Sequence, residues 1–206
     1  MKREEKNLLT RQRIIDSAIV EFGTNSYAEA SLNAICKIGN ISKGIIYHYF
    51  KDKDELYLVC VSECFHALTT FLNNGETVFC KFEEDMKRYL DMRHEFFDEN
   101  PYYSNIFANA VLQPPKHLIE EIKKRKVELD TLNVNYYKSA LQNVNLKNDI
   151  SVEDAIEYFL IFQEGFNNYF QNKTYDNFRN LLNDQELKLS KLLKTMTYGI
   201  AQEDGK

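Results

Sequence analysis

Ser31-Leu32-Asn33-Ala34-Ile35-Cys36-Lys37-Ile38-Gly39-Asn40-Ile41-Ser42-Lys43-Gly44-Ile45-Ile46-Tyr47-His48-Tyr49-Phe50 sets two short helical patterns on either side of a Gly-Asn turn. Ser31 offers a side-chain oxygen to the free amides of a first helix, along which Leu32, Ile35 and Ile38 recur at helical spacing. Gly39-Asn40 reads as a tight turn, and Ser42 repeats the capping role for a second helix running to about Tyr49. Leu32, Ile35, Ile38, Ile41, Ile46 and Phe50 can lock the two helices at one angle. The spacing therefore predicts a helix-turn-helix, whose second helix fits the major groove of DNA. Between its apolar anchors that helix exposes Lys43, Gly44, Ile45, Tyr47 and His48. A cation, a bare backbone position and hydrogen-bonding rings suit contact with phosphates and base edges.

Outward from this stretch the pattern stays helical. Ile14, Ile15, Ala18, Ile19 and Phe22 fall on one face of a helix from about Leu8 to Phe22, and Gly23-Thr24-Asn25-Ser26 ends it. Asp52-Lys53-Asp54-Glu55 has the form of a capping box, and a long helix should follow, burying Leu56, Cys60, Cys64 and Phe71. Asn73-Asn74-Gly75, Glu99-Asn100-Pro101, Gln113-Pro114-Pro115 and residues 142–148 interrupt the chain further on. They leave helices at roughly 77–97, 102–112, 116–141, 151–172 and 176–199. With no alternating strand pattern and no internal repeat, the class is all-α. Ile156, Phe159, Leu160, Phe166 and Phe170 stripe the penultimate helix, and Phe178, Leu182, Leu189, Leu192 and Met196 the last. Such a pair can be buried within one chain or can build a bundle between two chains. The pattern leaves both open.

A chain of 206 residues is long enough for a small domain joined to a larger one. Its net charge of −5 is unusual for a partner of DNA until the chain is divided. Residues 1–53 carry nine basic and six acidic side chains, a net +3, and the remainder carries 17 and 25, a net −8. The first part can approach phosphates and the acidic remainder is ill suited to lie along them. No apolar run approaches the roughly 20 residues of a membrane span. Met1-Lys2-Arg3-Glu4-Glu5-Lys6-Asn7 is charged and opens no signal-peptide pattern, so a cytoplasmic protein is expected. Cys36, Cys60, Cys64 and Cys80 lack metal-finger spacing and read as small buried thiols inside helices, with a redox switch as the alternative.

The run from Ile41 through Phe50 and on through Lys51-Asp52-Lys53-Asp54-Glu55-Leu56 closely resembles the signature of TetR-family regulators. Arg13-Ile14-Ile15-Asp16-Ser17-Ala18 and Glu21-Phe22, at the expected distance upstream, look like that family's first helix. The resemblance covers about the first 56 residues, and beyond them only the number, length and order of helices match. It implies a three-helix helix-turn-helix DNA-binding domain over residues 1–53 and a larger helical effector-binding and dimerisation domain over 54–206. It further implies that Ser31 and Asn33 contact a phosphate or base edge, and that Lys43, Gly44, Ile45 and Tyr47 lie in or against the major groove. His48, Tyr49 and Lys53 would fix the DNA backbone, Lys53 at the start of a helix whose amides also favour phosphate. Ile45 departs from the family, which often has a small or hydroxylated residue there. It can meet a thymine methyl and cannot hydrogen-bond.

The same resemblance implies a homodimer on double-stranded operator DNA, repression, and release by a small molecule. No cofactor, catalytic role or membrane association is expected. Of the 27 aromatic residues, 22 follow residue 53. Phe79, Phe82, Tyr89, Phe96, Tyr103 and Phe107 lie on helices that could line a pocket for a hydrophobic or aromatic effector, or could be ordinary core. Phe159, Phe166, Phe170, Leu182, Leu189, Leu192 and Met196 are the expected dimer contacts. A rival reading is a metal protein, because Glu63/His66 and Asp91/His94 each pair an acid with a histidine three residues on. The further carboxylates that such a centre needs have no matching pattern in Glu120, Glu121, Glu157 and Glu164, and no HExxH, GxSxG or phosphate-loop motif occurs.

Overall fold

Nine α-helices and one 3-10 turn follow one another in the computed structural model, which describes residues 3–75, 79–173 and 178–200. The side chains of Arg3, Phe178, Arg179, Leu182, Asn183, Glu186, Ser190 and Thr197 lie outside that description. The helices are α1 (Arg3–Thr24), α2 (Leu32–Gly39), α3 (Lys43–Tyr49), α4 (Lys53–Asn74), α5 (Phe82–Glu99), α6 (Pro101–Val111), α7 (Ile119–Leu141), α8 (Val152–Gln171) and α9 (Phe178–Ile200). The 3-10 turn is Lys116–Leu118, directly ahead of α7. No β-sheet occurs among the described residues, and the all-α class expected from the pattern is the class observed.

Local chemistry explains most boundaries. Pro101 opens α6, where its missing N–H costs nothing. Ser151 and Asp154 form a reciprocal capping box on α8. Asp52 Oδ1 accepts from the Glu55 amide (2.9 Å), but Glu55 reaches back to the Lys51 amide (2.6 Å), one residue earlier than a standard box. The start of α5 differs from the sequence expectation: the helix begins at Phe82 rather than near 77, and 76–78 lie outside the described residues. The buried Asp85 carboxylate turns back onto the Cys80 amide (3.1 Å) and holds residues 79–81 out of the helix.

By compactness the chain falls into two units, Met1–Ala67 with Phe97–Val127, and Leu68–Phe96 with Glu128–Lys206. In the first unit α1 packs on α2 and α6. Ile14, Ile15, Phe22, Ile35, Ile46, Phe50, Leu56, Tyr57 and Ile106 form its core, each such side chain contributing about 1.5–3 kcal/mol by leaving water. The end of α1 meets α6 so closely that a Cβ on Gly23 would stand 2.7 Å from the Tyr102 Cα. Asn105 Nδ2 donates to the Gly23 carbonyl (2.5 Å) at the same junction. The second unit is built on aromatic contacts: Tyr137 stacks on Phe159 (4.2 Å, 10°), Phe82 meets Tyr137 edge-on (5.5 Å), and Tyr89 lies against Tyr136 (4.4 Å).

Several core expectations change. Ile38 is 46% exposed, while its neighbour Gly39 is backed against Ser17 and Ile41. Phe71 is only half-buried. Cys60 and Cys64 are fully buried, whereas Cys36 is half-buried and Cys80 is exposed outside any helix. By length and composition α4 would pass as a membrane span, contrary to the expectation that no apolar run comes close; 56% of that stretch is buried in the chain, as in a core helix.

Candidate nucleic-acid interface

The α2–α3 pair is held by its own short-range hydrogen bonds. Ser31 Oγ accepts from the Ala34 amide (3.2 Å) and Ser42 Oγ from the Ile45 amide (3.3 Å). At the end of α2, the Asn40 amide donates to the Lys37 carbonyl and the Ile41 amide to the Cys36 carbonyl, a Schellman closure. Asn40, at φ 48°, takes the left-handed position, not Gly39. Glu21 of α1 accepts from the Ser31 amide (2.9 Å) and so ties the start of α2 to the core. The result is a short α3 whose orientation is fixed from both ends.

On α3 the single buried side chain is Ile46, while Lys43, Gly44, Ile45, Tyr47 and His48 are exposed. Ser31 and Asn33 at the start of α2 are exposed as well. Tyr49 is half-buried, its hydroxyl donating to Asn7 Oδ1 (3.3 Å) and its ring meeting the His48 edge at 5.0 Å. Gly44 stands in open space: an added Cβ would meet nothing nearer than Ser42 Oγ at 4.0 Å, and its φ is not left-handed. Neither packing nor backbone geometry within the chain demands glycine there, although glycine weakens a helix by roughly 0.5–1 kcal/mol relative to alanine.

Lys53, half-buried at the start of α4, belongs to a cluster that spacing does not reveal. Its Nζ lies over the Tyr27 ring, 4.3 Å from the centroid. The Tyr27 hydroxyl donates to Asp54 Oδ1, and Asp54 Oδ2 lies 3.1 Å from His117 Nε2 in the 3-10 turn. Tyr27 also meets Tyr57 edge-on (4.9 Å). The Tyr27 hydroxyl bond, and then His117, hold the Asp54 carboxyl below the usual carboxylate range. Desolvation lowers the Lys53 ammonium, although Asp54 and Glu21 favour its charge. Residues 27, 54 and 117 share no motif, so only folding brings them together.

In the expected pocket set, Phe82, Tyr89 and Phe96 are buried in the second unit with Phe79 half-buried, while Tyr103 and Phe107 belong to the first. Within the second unit, burial pushes the Tyr89 and Tyr137 hydroxyls up to about 12. The buried Tyr137 hydroxyl has no hydrogen-bond partner among the described residues. A groove of about 300 Å³ is lined by Phe82, Met86, Leu90 and Leu193 together with the exposed Lys87 and Lys194. Of the expected dimer contacts, Phe159, Phe166 and Phe170 are buried within the chain itself, Leu189 and Met196 are half-buried, and Leu192 is exposed. The Leu182 side chain lies outside the described residues. Tyr158, Leu160, Ile161 and Tyr169 of α8 and Leu187 and Tyr198 of α9 are exposed. No group of three or more potential metal ligands forms among the described residues, the pairs Glu63/His66 and Asp91/His94 included.

Residues 14–60 match the family model described as bacterial regulatory proteins, tetR family, and residues 80–199 match the tetracyclin repressor-like C-terminal domain. The chain is similar to the biofilm operon icaADBC negative transcriptional regulator IcaR of Staphylococcus epidermidis, 28% identical over 59% of this chain and 63% of that one. It is similar to the transcriptional regulator UidR of Escherichia coli, 26% identical over 69% and 71% of the two chains. The fold is that of the regulatory protein TetR from Rhodobacter sphaeroides, with a TM-score of 0.60 at 15% identity over 94% of this chain and 100% of that one.

Proposed function

Because the chain belongs to the TetR family of bacterial regulatory proteins, which are DNA-binding transcription regulators, we propose that it acts as a homodimeric repressor released from its operator by a small hydrophobic or aromatic ligand. The observation that carries the DNA-reading part is α3 itself. It buries Ile46 alone, keeps Lys43, Ile45, Tyr47 and His48 outward, and holds a glycine that the chain does not need. A bare position at Gly44 lets the helix backbone approach the groove. Lys43, Ile45 and Tyr47 then lie in or against the major groove, Ser31 and Asn33 of α2 contact a phosphate or base edge, and His48, Tyr49 and Lys53 hold the DNA backbone. Residues 1–53 are the reader, and residues 54–206 carry the effector and dimer functions.

The dimer reading is supported by apolar side chains left exposed on α8 and α9, such as Ile161 and Leu187. The effector reading is supported by the aromatic cluster of Phe82, Tyr137 and Phe159, in which the Tyr137 hydroxyl is the polar group able to orient a ligand. A ligand that prefers a conformer with the wrong reader spacing weakens DNA binding, and DNA weakens ligand binding equally. The test is fluorescence anisotropy with fragments of flanking genomic DNA and random DNA, at several salt concentrations. Tight, salt-sensitive, fragment-specific binding is expected. Binding of every genomic fragment no better than random DNA, with protein refolded free of ligand, contradicts the proposal.

A further inference from the structure

We propose that His117 is a positioning residue for the Lys53 phosphate contact, so that the 3-10 turn ahead of α7 sets how tightly the reader holds DNA. The inference rests on the reading of Lys53 as a phosphate anchor. Three separate segments meet at the start of α4: Tyr27 from the α1–α2 connection, Lys53-Asp54, and His117. Tyr27 is the hub. Its ring face carries the Lys53 ammonium at 4.3 Å, its hydroxyl is bonded to Asp54, and the His117 ring approaches its edge at 5.8 Å. Asp54 takes Tyr27 on one oxygen and His117 on the other, so His117 fixes the carboxylate that orients the ring beneath Lys53.

The charges around this cluster give the contact a sign. Asp54 and Asp52 at the start of α4 and Glu21 of α1 are acidic, while Lys53 and Lys116 beside His117 are basic. The His117 bond occupies one oxygen of a carboxylate that otherwise repels an approaching phosphate. The turn runs straight into α7, whose residues from Glu128 onward belong to the second unit.

The test begins by selecting a duplex from a random-sequence pool with the full-length wild-type protein. Anisotropy then gives Kd on that duplex for wild type, His117→Ala, Lys53→Ala and the double variant, with circular dichroism melts to confirm folding. His117→Ala should bind about three- to ten-fold more weakly than wild type. In the Lys53→Ala background the same change should cost less than about two-fold, since its effect passes through Lys53. His117→Gln keeps an amide donor to Asp54 and should recover most of the wild-type affinity, which a loss of packing alone would not allow. Wild-type affinity in His117→Ala, no recovery in a folded His117→Gln, or an equal loss with and without Lys53, overturns the proposal while leaving the reader intact. Failure of the wild type to select any duplex overturns both.

Discussion

Gly44 and Gly23 make opposite demands on the same small side chain. A Cβ at 44 meets open space, so Gly44→Ala should stabilise the fold by roughly 0.5–1 kcal/mol in a thermal melt while weakening operator binding. At 23 a Cβ runs into the Tyr102 backbone, so Gly23→Ala should destabilise by about 1–3 kcal/mol or more. Equal effects of the two changes on stability would contradict both placements. Tyr47 is 50% exposed, so Tyr47→Ala should leave stability within about 0.5 kcal/mol and cost about 1–3 kcal/mol in operator binding. These residues differ in how far they could be read in advance. Ser31 and Ser42 were legible as caps because a hydroxyl before a helical run has few other uses. The left-handed residue was not, since either Gly39 or Asn40 satisfies the turn chemistry and packing against Ser17 chose. Tyr27, Asp54 and His117 were illegible as a cluster, since nothing local links them.

The start of α4 carries its own pH dependence. Asp54 is held below the usual carboxylate range, so its contribution to stability is complete above the unfolded value near 3.9 and is lost as the pH falls through the lower folded value. Asp54→Asn should remove that part of the acid loss, measured as the melting temperature between pH 6 and pH 2. An unchanged acid profile would separate Asp54 from the stability of the cluster. Further along α4, burial pushes the Cys60 and Cys64 thiols up, which keeps them protonated and unreactive in the fold. Iodoacetamide should therefore label the exposed Cys80 first and reach Cys60 and Cys64 only on unfolding, as read by peptide mass spectrometry. Helix positions followed from caps, prolines and period. The late start of α5 did not, because the bond from the Cys80 amide to Asp85 has no sequence signature.

For the whole molecule the sequence pattern was most ambiguous where two chains would meet. The α8 helix is apolar on more than one side, and periodicity does not say which side turns inward. Folding buries Phe159, Phe166 and Phe170 and leaves Tyr158, Leu160, Ile161 and Tyr169 outward. Changing Ile161 and Leu187 together to glutamate should convert a dimer of about twice the 24.3 kDa chain mass into monomer in sedimentation. Operator binding should fall with it. The DNA-reading proposal is tested most directly by hydroxyl-radical footprinting of the wild-type protein on its selected operator. A dimer presenting two α3 helices should protect two symmetric patches whose centres are about one DNA turn, roughly 34–36 Å, apart. Both patches should fade together in Tyr47→Ala. A single patch, or protection that Tyr47→Ala leaves untouched, would contradict a dimer that reads DNA through α3.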